Sequence, residues 1–137
     1  MRTADLILHA GDIKTAAVLA ELRQLGPPVA AVQGNADDAE LRASLPEERV
    51  VDVERARIGL VHDPGPRAGR EVRLRGRFPG CDAVVYGHTH LPQVELLDGT
   101  WILNPGSPTE RRRAPARSLL VLDVRGSRLA PRLVTVG

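Results

Sequence analysis

The chain carries four histidines, and two of them stand one residue apart in Gly87-His88-Thr89-His90. The apolar run "VVY" before this tetrad reads as a buried strand, so the imidazoles sit where a strand ends in a glycine turn. The glycine lets the backbone turn tightly, and two imidazoles so spaced can each address one metal ion. Three other polar residues close apolar runs in the same way: Asp12 after "LILHAG", Asn35 after "VAAVQG" and His62 after "IGLV". One carboxylate, one amide and three imidazoles mix hard oxygen with borderline nitrogen, which suits divalent transition metals. A carboxylate can bridge two ions, and a pair of ions roughly 3.5–4 Å apart can clamp a phosphoryl group and acidify water. Each signal alone is weak; four in this order are far stronger than any one and favour a metal site.

The elements that must position these residues alternate. "ADLILHAGD" (4–12) reads as a buried strand, and apolar residues at Ala17, Val18, Leu22 and Leu25 follow a helical period over 14–25. Gly26-Pro27-Pro28 stops that helix. "VAAVQGN" (29–35) is a second buried strand, and a helix over 37–45 follows, with Asp37 as its N-cap and Pro46 beyond its end. Residues 50–63 read as a hairpin, 64–77 as a Gly-, Pro- and Arg-rich loop with at most a short helix, and "CDAVVYGHTH" holds the third buried strand. Residues 93–104 turn at Asp98-Gly99 and residues 118–136 at Gly126-Ser127, both as hairpins. This pattern is α/β in one domain, 1–137, without repeats or linkers. In such sheets sites gather beyond the carboxyl ends of strands, so loops distant in sequence can meet at one edge.

Composition narrows the function classes. Phe78, Tyr86 and Trp101 are the only aromatic residues, so the core is aliphatic and a base-stacking nucleic-acid platform is disfavoured. The net charge is +2, and eighteen arginines stand against one lysine, Lys14. Cys81 is the single cysteine, which rules out an intramolecular disulfide and suggests a reducing compartment; the cytoplasm is the expected location. No apolar run approaches the roughly 20 residues that span a bilayer.

Gly11-Asp12, Gly34-Asn35-Ala36-Asp37, the His62 strand end and Gly87-His88-Thr89-His90 together resemble the ordered motifs of the calcineurin-like metallophosphoesterases. "LILHAGD", "AAVQGNAD", "RIGLVH", "VVYGHTHLP" and "ILNPGS" look most like the small bacterial and archaeal phosphodiesterase branch, from about residue 4 to the C-terminus. The resemblance implies two packed mixed β-sheets flanked by helices, with a dinuclear site at the strand ends. Asp12 would bridge the ions; Asn35, His62 and His88 would complete one site and His90 would bind the other ion. Asn104-Pro105-Gly106-Ser107 matches a loop that shapes the site. Manganese is the metal the family suggests, with iron, zinc, nickel or cobalt as alternatives. The implied reaction is hydrolysis of a small phosphodiester or phosphate ester by metal-activated hydroxide.

The chain also departs from the family. Members begin with a strand ending in Asp-x-His, followed by a helix, before the strand that here is 4–9; that N-terminal strand and helix are missing from this sequence. A misassigned start or a truncation is the expectation, and one ion would then keep only Asp12 and His90. An unpaired strand edge would favour association with another chain, so a homo-oligomer is an expectation. His9 is expected to pack rather than ligate. Ala36 stands where the family often has a histidine, so no general acid is named, and Asp37 is a better N-cap than proton donor. Asp63 reads as a loop acid. Arg67, Arg70, Arg73, Arg75 and Arg77 read as a solvated loop before an anion rim, and Arg111-Arg112-Arg113 as an anion patch. The competing function is a catalytically inactive protein-binding scaffold, the role this fold serves in the eukaryotic retromer coat.

Overall fold

The structure, a computed structural model, describes residues 6–11, 16–24, 27–34, 37–106 and 117–136. Within them lie β1 (Ile7–His9), α1 (Ala16–Arg23), β2 (Val29–Ala31), α2 (Ala39–Ser44), β3 (Glu48–Val53), β4 (Ala56–Val61), α3 (Arg70–Arg77), β5 (Ala83–Tyr86), β6 (Gln93–Leu97), β7 (Thr100–Asn104), β8 (Arg117–Arg125) and β9 (Arg128–Val136). Five strands form one mixed sheet in the order β3-β4-β5-β7-β6. Its centre is parallel: Val61 of β4 lies opposite Tyr86 of β5, and Val85 opposite Leu103 of β7. β3 and β6 flank it antiparallel. β5 is buried along its whole length, as expected of a central parallel strand covered on both faces.

Two layers cover that sheet. On one face, Leu74 and Phe78 of α3 and its C-terminal end pack on Val61, Val84, Tyr86 and Ile102. The Phe78 ring crosses β4 so closely that a Cβ on Gly59 would lie 2.6 Å from it. On the other face, Ile58, Leu60, Ala83, Val85 and Leu103 meet residues from two further strand pairs. One is the parallel pair β1-β2 with its ends, contributing Leu8, Ala10 and Val32; the other is the hairpin β8-β9, contributing Leu120, Leu122, Val124 and Leu129. Leu19 of α1 and Leu41 and Leu45 of α2 cover β2 from outside. The expected α/β sandwich of packed sheets flanked by helices is the observed one. The hairpin turns of the two layers are tied together, Arg55 N–H donating to Gly126 O (2.9 Å) and Gly126 N–H to Glu54 Oε1 (2.7 Å).

The helices differ from their sequence assignments. Among the α1 residues whose burial is described, Leu19 is buried and Ala17 exposed; the side chains of Val18 and Leu22, and Leu25, lie outside the description. α2 is capped by Asp38, whose Oδ1 accepts from Leu41 N–H (3.0 Å), so Asp37 is not the N-cap. The reason is that Asp37 is buried and its carboxylate turns back to accept from Gly34 N–H (2.7 Å). The 64–77 segment does contain a short helix, α3. Among the described residues no helix is long and apolar enough to cross a membrane.

The carboxyl ends of β1, β2, β4 and β5 meet at one edge. Gly11, just past β1, has φ +100°, and a Cβ there would come within 2.7 Å of His62 Nδ1 and 2.9 Å of Gly34 Cα. Three strand ends therefore touch through a residue that must lack a side chain. Gly11→Ala should cost more stability than Gly69→Ala, where φ is +68° but nothing lies within 4 Å of an added Cβ. Both substitutions strain the backbone by about 1–2 kcal/mol. Only the first also drives a methyl into a ring and a neighbouring backbone, adding about 1–3 kcal/mol. Thermal melts decide the matter, and equal melting temperatures for the two variants would mean the strand ends are packed less tightly.

Candidate metal centre

His62 follows the last residue of β4 and is 5% exposed. Its carbonyl accepts from Gly87 N–H (3.0 Å), which continues the β4-β5 pairing one step past both strands. Its Nδ1 lies 2.7 Å from the carbonyl oxygen of Ala10, 52 residues away in the chain. A carbonyl can only accept, so Nδ1 carries the proton and Nε2 presents its lone pair. This is how a metal-binding imidazole is usually oriented, its second nitrogen held by a backbone carbonyl.

The lone pair of His62 Nε2 faces His88 Nδ1 at 3.3 Å, with the two rings nearly perpendicular (84°). His88 and His90 both adopt left-handed backbone, at φ 68° and 60°. Such a conformation costs a residue with a Cβ about 1–2 kcal/mol, so something must hold the turn. Asn104, fully buried at the end of β7, does so. Its Nδ2 donates to Thr89 Oγ1 (3.0 Å) and Gly87 O (3.4 Å), while its Oδ1 accepts from Gly106 N–H (2.8 Å). Thr89 Oγ1 also accepts from Leu91 N–H (3.1 Å).

Under the turn lies a polar chain. Burial pushes the Tyr86 phenol up from its ordinary value, against smaller lowering effects of Arg70 and Asn104, so at neutral pH it is an O–H donor. It donates to Gln93 Oε1, and Gln93 Nε2 donates to Glu71 Oε2 (2.8 Å). That bond, ahead of Glu71's own backbone N–H, holds the Glu71 carboxyl below its ordinary value.

The donor set can be tested against an ion on geometry alone. Two nitrogens 3.3 Å apart, each about 2.0–2.1 Å from a common cation, subtend roughly the tetrahedral angle. With His88 protonated on Nε2 instead, both nitrogens would offer a lone pair at that separation, so the pair is compatible with a shared cation. Among the described residues no group of three His, Cys, Asp or Glu side chains gathers, and His90 does not close one with His62 and His88. Asp12 and Asn35 lie outside the described residues, but each directly follows one of the glycines, Gly11 and Gly34, at this edge.

Neighbouring residues take other roles. His9 Nδ1 accepts from Gly11 N–H (3.2 Å), fastening the turn after β1. Asp63 is exposed and its Oδ1 accepts from Gly65 N–H (2.9 Å), the role of a loop acid on the cleft wall. Burial, first among the causes, pushes the Cys81 thiol up, which leaves it a poor nucleophile. Arg67, Arg73, Arg75 and Arg77 are exposed, as a solvated segment would have them, but several are also tied to protein groups. Arg73 donates to the carbonyls of Pro64 (2.9 Å), Ala68 (3.2 Å) and Pro66, and Arg70 to that of Gly65 (3.1 Å). Arg75 donates to Asp98 O (3.3 Å) and Arg77 pairs with Glu48 (2.8 Å). Arg111-Arg112-Arg113 and Ser107 lie outside the described residues. Beside His62 opens a cleft of about 540 Å³, walled by Gly34, Arg42, Asp63, Pro64 and the clamped loop.

Thr89 was hidden in the sequence between two conspicuous histidines; its one signal is a hydroxyl in a turn, where it can cap backbone N–H groups. Ala10 contributes only a carbonyl, which no side-chain motif can reveal.

Residues 1–127 match the family model of the calcineurin-like phosphoesterase superfamily domain. A probable metallophosphoesterase of Methanothermobacter thermautotrophicus is 38% identical over 138 aligned positions, covering 99% of this chain and 78% of the relative. Among solved structures, wild-type Vps29 of Entamoeba histolytica complexed with zinc has a TM-score of 0.74 at 24% identity, covering 96% of this chain and 82% of its own. An archaeal phosphodiesterase has a TM-score of 0.75 at 19% identity, covering 96% and 84%. At those identities the two structures speak for the fold. The chain belongs to the calcineurin-like phosphoesterase superfamily.

Proposed function

We propose that the protein is a metal-dependent phosphodiesterase whose ion is held at the joined strand ends by Asp12, Asn35, His62 and His88, with His90 serving a second ion. The observation that carries this reading is the His62–His88 pair, 3.3 Å apart between nitrogens, with the His62 tautomer set by Ala10 O. A divalent ion supplies Lewis acidity toward a phosphoryl oxygen and acidifies water. Manganese is the proposed metal; zinc suits the same donors and accompanies the Vps29 structure.

The protein's own groups orient and enclose. Ala10 O and Asn104 set the directions of the imidazoles, and the cleft beside His62 receives the ester. Arg73 stiffens the wall of that cleft by holding three of its carbonyls. The rim carries Arg42, Arg73 and Arg77 beside Glu47 and Asp63, a small excess of positive charge that favours an anionic substrate. A small phosphodiester fits this charge and size. The scaffold reading has the Vps29 likeness in its favour, and metal dependence separates the two.

Hydrolysis of bis(p-nitrophenyl) phosphate with manganese should stop on chelation with EDTA and return when the metal is restored. His88→Ala should lower the rate by more than the ~10–100-fold typical of losing a partner one layer out. Hydrolysis indifferent to both EDTA and His88→Ala would end the proposal, and no hydrolysis with no metal uptake would favour the scaffold. Arg73→Ala should act differently, raising KM several-fold with kcat little changed, because it loosens the cleft wall and leaves the imidazoles in place. A drop in kcat alone would show that the loop does not bind the ester.

A further inference from the structure

We propose that Asn104 and Thr89 form a latch that positions His88 and His90 as ligands, Asn104 being a positioning residue that itself touches neither metal nor substrate. The inference rests on the reading of these histidines as metal ligands.

Two residues with side chains, His88 and His90, hold left-handed backbone on either side of Thr89. Histidine enters this region more readily than most residues with a Cβ, yet two such residues flanking Thr89 are costly and persist where their surroundings over-determine them. Thr89 supplies the point of attachment. Its N–H donates to Gly87 O (2.8 Å), closing the turn, and its hydroxyl oxygen accepts from Leu91 N–H on the exit side. The same oxygen accepts from Asn104 Nδ2, which also reaches Gly87 O. Asn104 cannot flip its amide, because Gly106 N–H holds Oδ1 at 2.8 Å and so directs Nδ2 toward Thr89. Gly106 in turn leaves no room for a side chain, since an added Cβ would collide with Ser118 Oγ, which donates to Pro105 O (2.8 Å). Through β7 this latch is built on the central sheet, with Leu103 paired to Val85. Entry, middle and exit of the histidine turn are thereby tied to one buried amide. Loss of the Thr89 hydroxyl frees the middle and should let both imidazoles wander from ligand geometry.

Isothermal titration of manganese into the metal-free full chain tests this, with thermal melts run on the same samples. Thr89→Val keeps the shape and removes the hydroxyl, and should weaken manganese binding by ~10–100-fold. Thr89→Ser restores the oxygen and should restore most of the affinity, although it is the less conservative change in volume. A purely structural role would lower the melting temperature of Thr89→Val and leave affinity unchanged, and that result overturns the latch. Equal weakness in Thr89→Ser and Thr89→Val also overturns it, because the hydroxyl would then not be the agent. His88→Ala separates the two levels of argument. If it binds manganese as the unaltered chain does, the metal reading falls and the latch with it; if it loses binding while Thr89→Val does not, only the latch falls.

Discussion

One hydrogen bond, from His62 Nδ1 to the carbonyl of Ala10, joins the two sheet layers at the edge where their strands end. Its net worth is modest, about 0.5–1.5 kcal/mol, but leaving either buried group unmade would cost about 1–3 kcal/mol. Its larger effect is on what may surround it. A Cβ on Gly11 would strike the His62 ring, and one on Gly87 would come 3.0 Å from Ala10 O and 3.3 Å from His62 Nδ1. Two of the glycines in the strand-end motifs are thus explained by one contact. The same contact sets the His62 tautomer, so the packing of the layers and the chemistry of the site are a single constraint.

The second constraint is conformational. A strand that ends in Gly-His-Thr-His can leave the sheet in many ways, most of which scatter the imidazoles. The observed way places two histidines in left-handed backbone and fastens the residue between them to a buried amide. The network extends through Tyr86, Gln93 and Glu71 to α3, so the helix that covers one face of the sheet also supports the floor of the turn.

Much of the architecture could be read from the sequence because its signals are local. Asp98-Gly99 and Gly126-Ser127 mark hairpins by turn chemistry, and buried strands show as apolar runs closed by glycine. The nearness of His62 to His88 follows from strand-end placement in a parallel sheet. Less legible features depend on contacts between distant residues. The sequence reading puts the N-cap of α2 at Asp37, but the cap is Asp38 because Gly34 N–H claims the Asp37 carboxylate. The arginines of α3 look solvated in sequence, since no local rule says that Arg73 will find three carbonyls of the preceding loop. Ala17 and Leu19 of α1 are similarly ambiguous in so short a helix, where the position of β2 decides which side is inward.

The distribution of strain bears on whether this fold works as an enzyme or as a scaffold. A scaffold presents its outer surface to partners, and nothing in that task needs two left-handed histidines at a strand end. Those two residues oppose folding by about 1–2 kcal/mol each, a substantial share of the 5–15 kcal/mol by which domains are stable. A buried Asn104, an ordered Thr89 and three glycines at close approach add further constraints at the same edge. Left-handed backbone also occurs at Glu54 and Asp98, but there it serves the hairpin turns β3-β4 and β6-β7, and at Gly69 and Gly99 an added Cβ would meet nothing. Two strained residues at a strand end that no hairpin explains, beside nitrogen atoms 3.3 Å apart, are expected of a site whose geometry matters more than its stability. The arginines agree with this division. Arg73 donates to loop carbonyls and Arg77 pairs with Glu48, so the wall of the cleft is held in place beside the imidazoles.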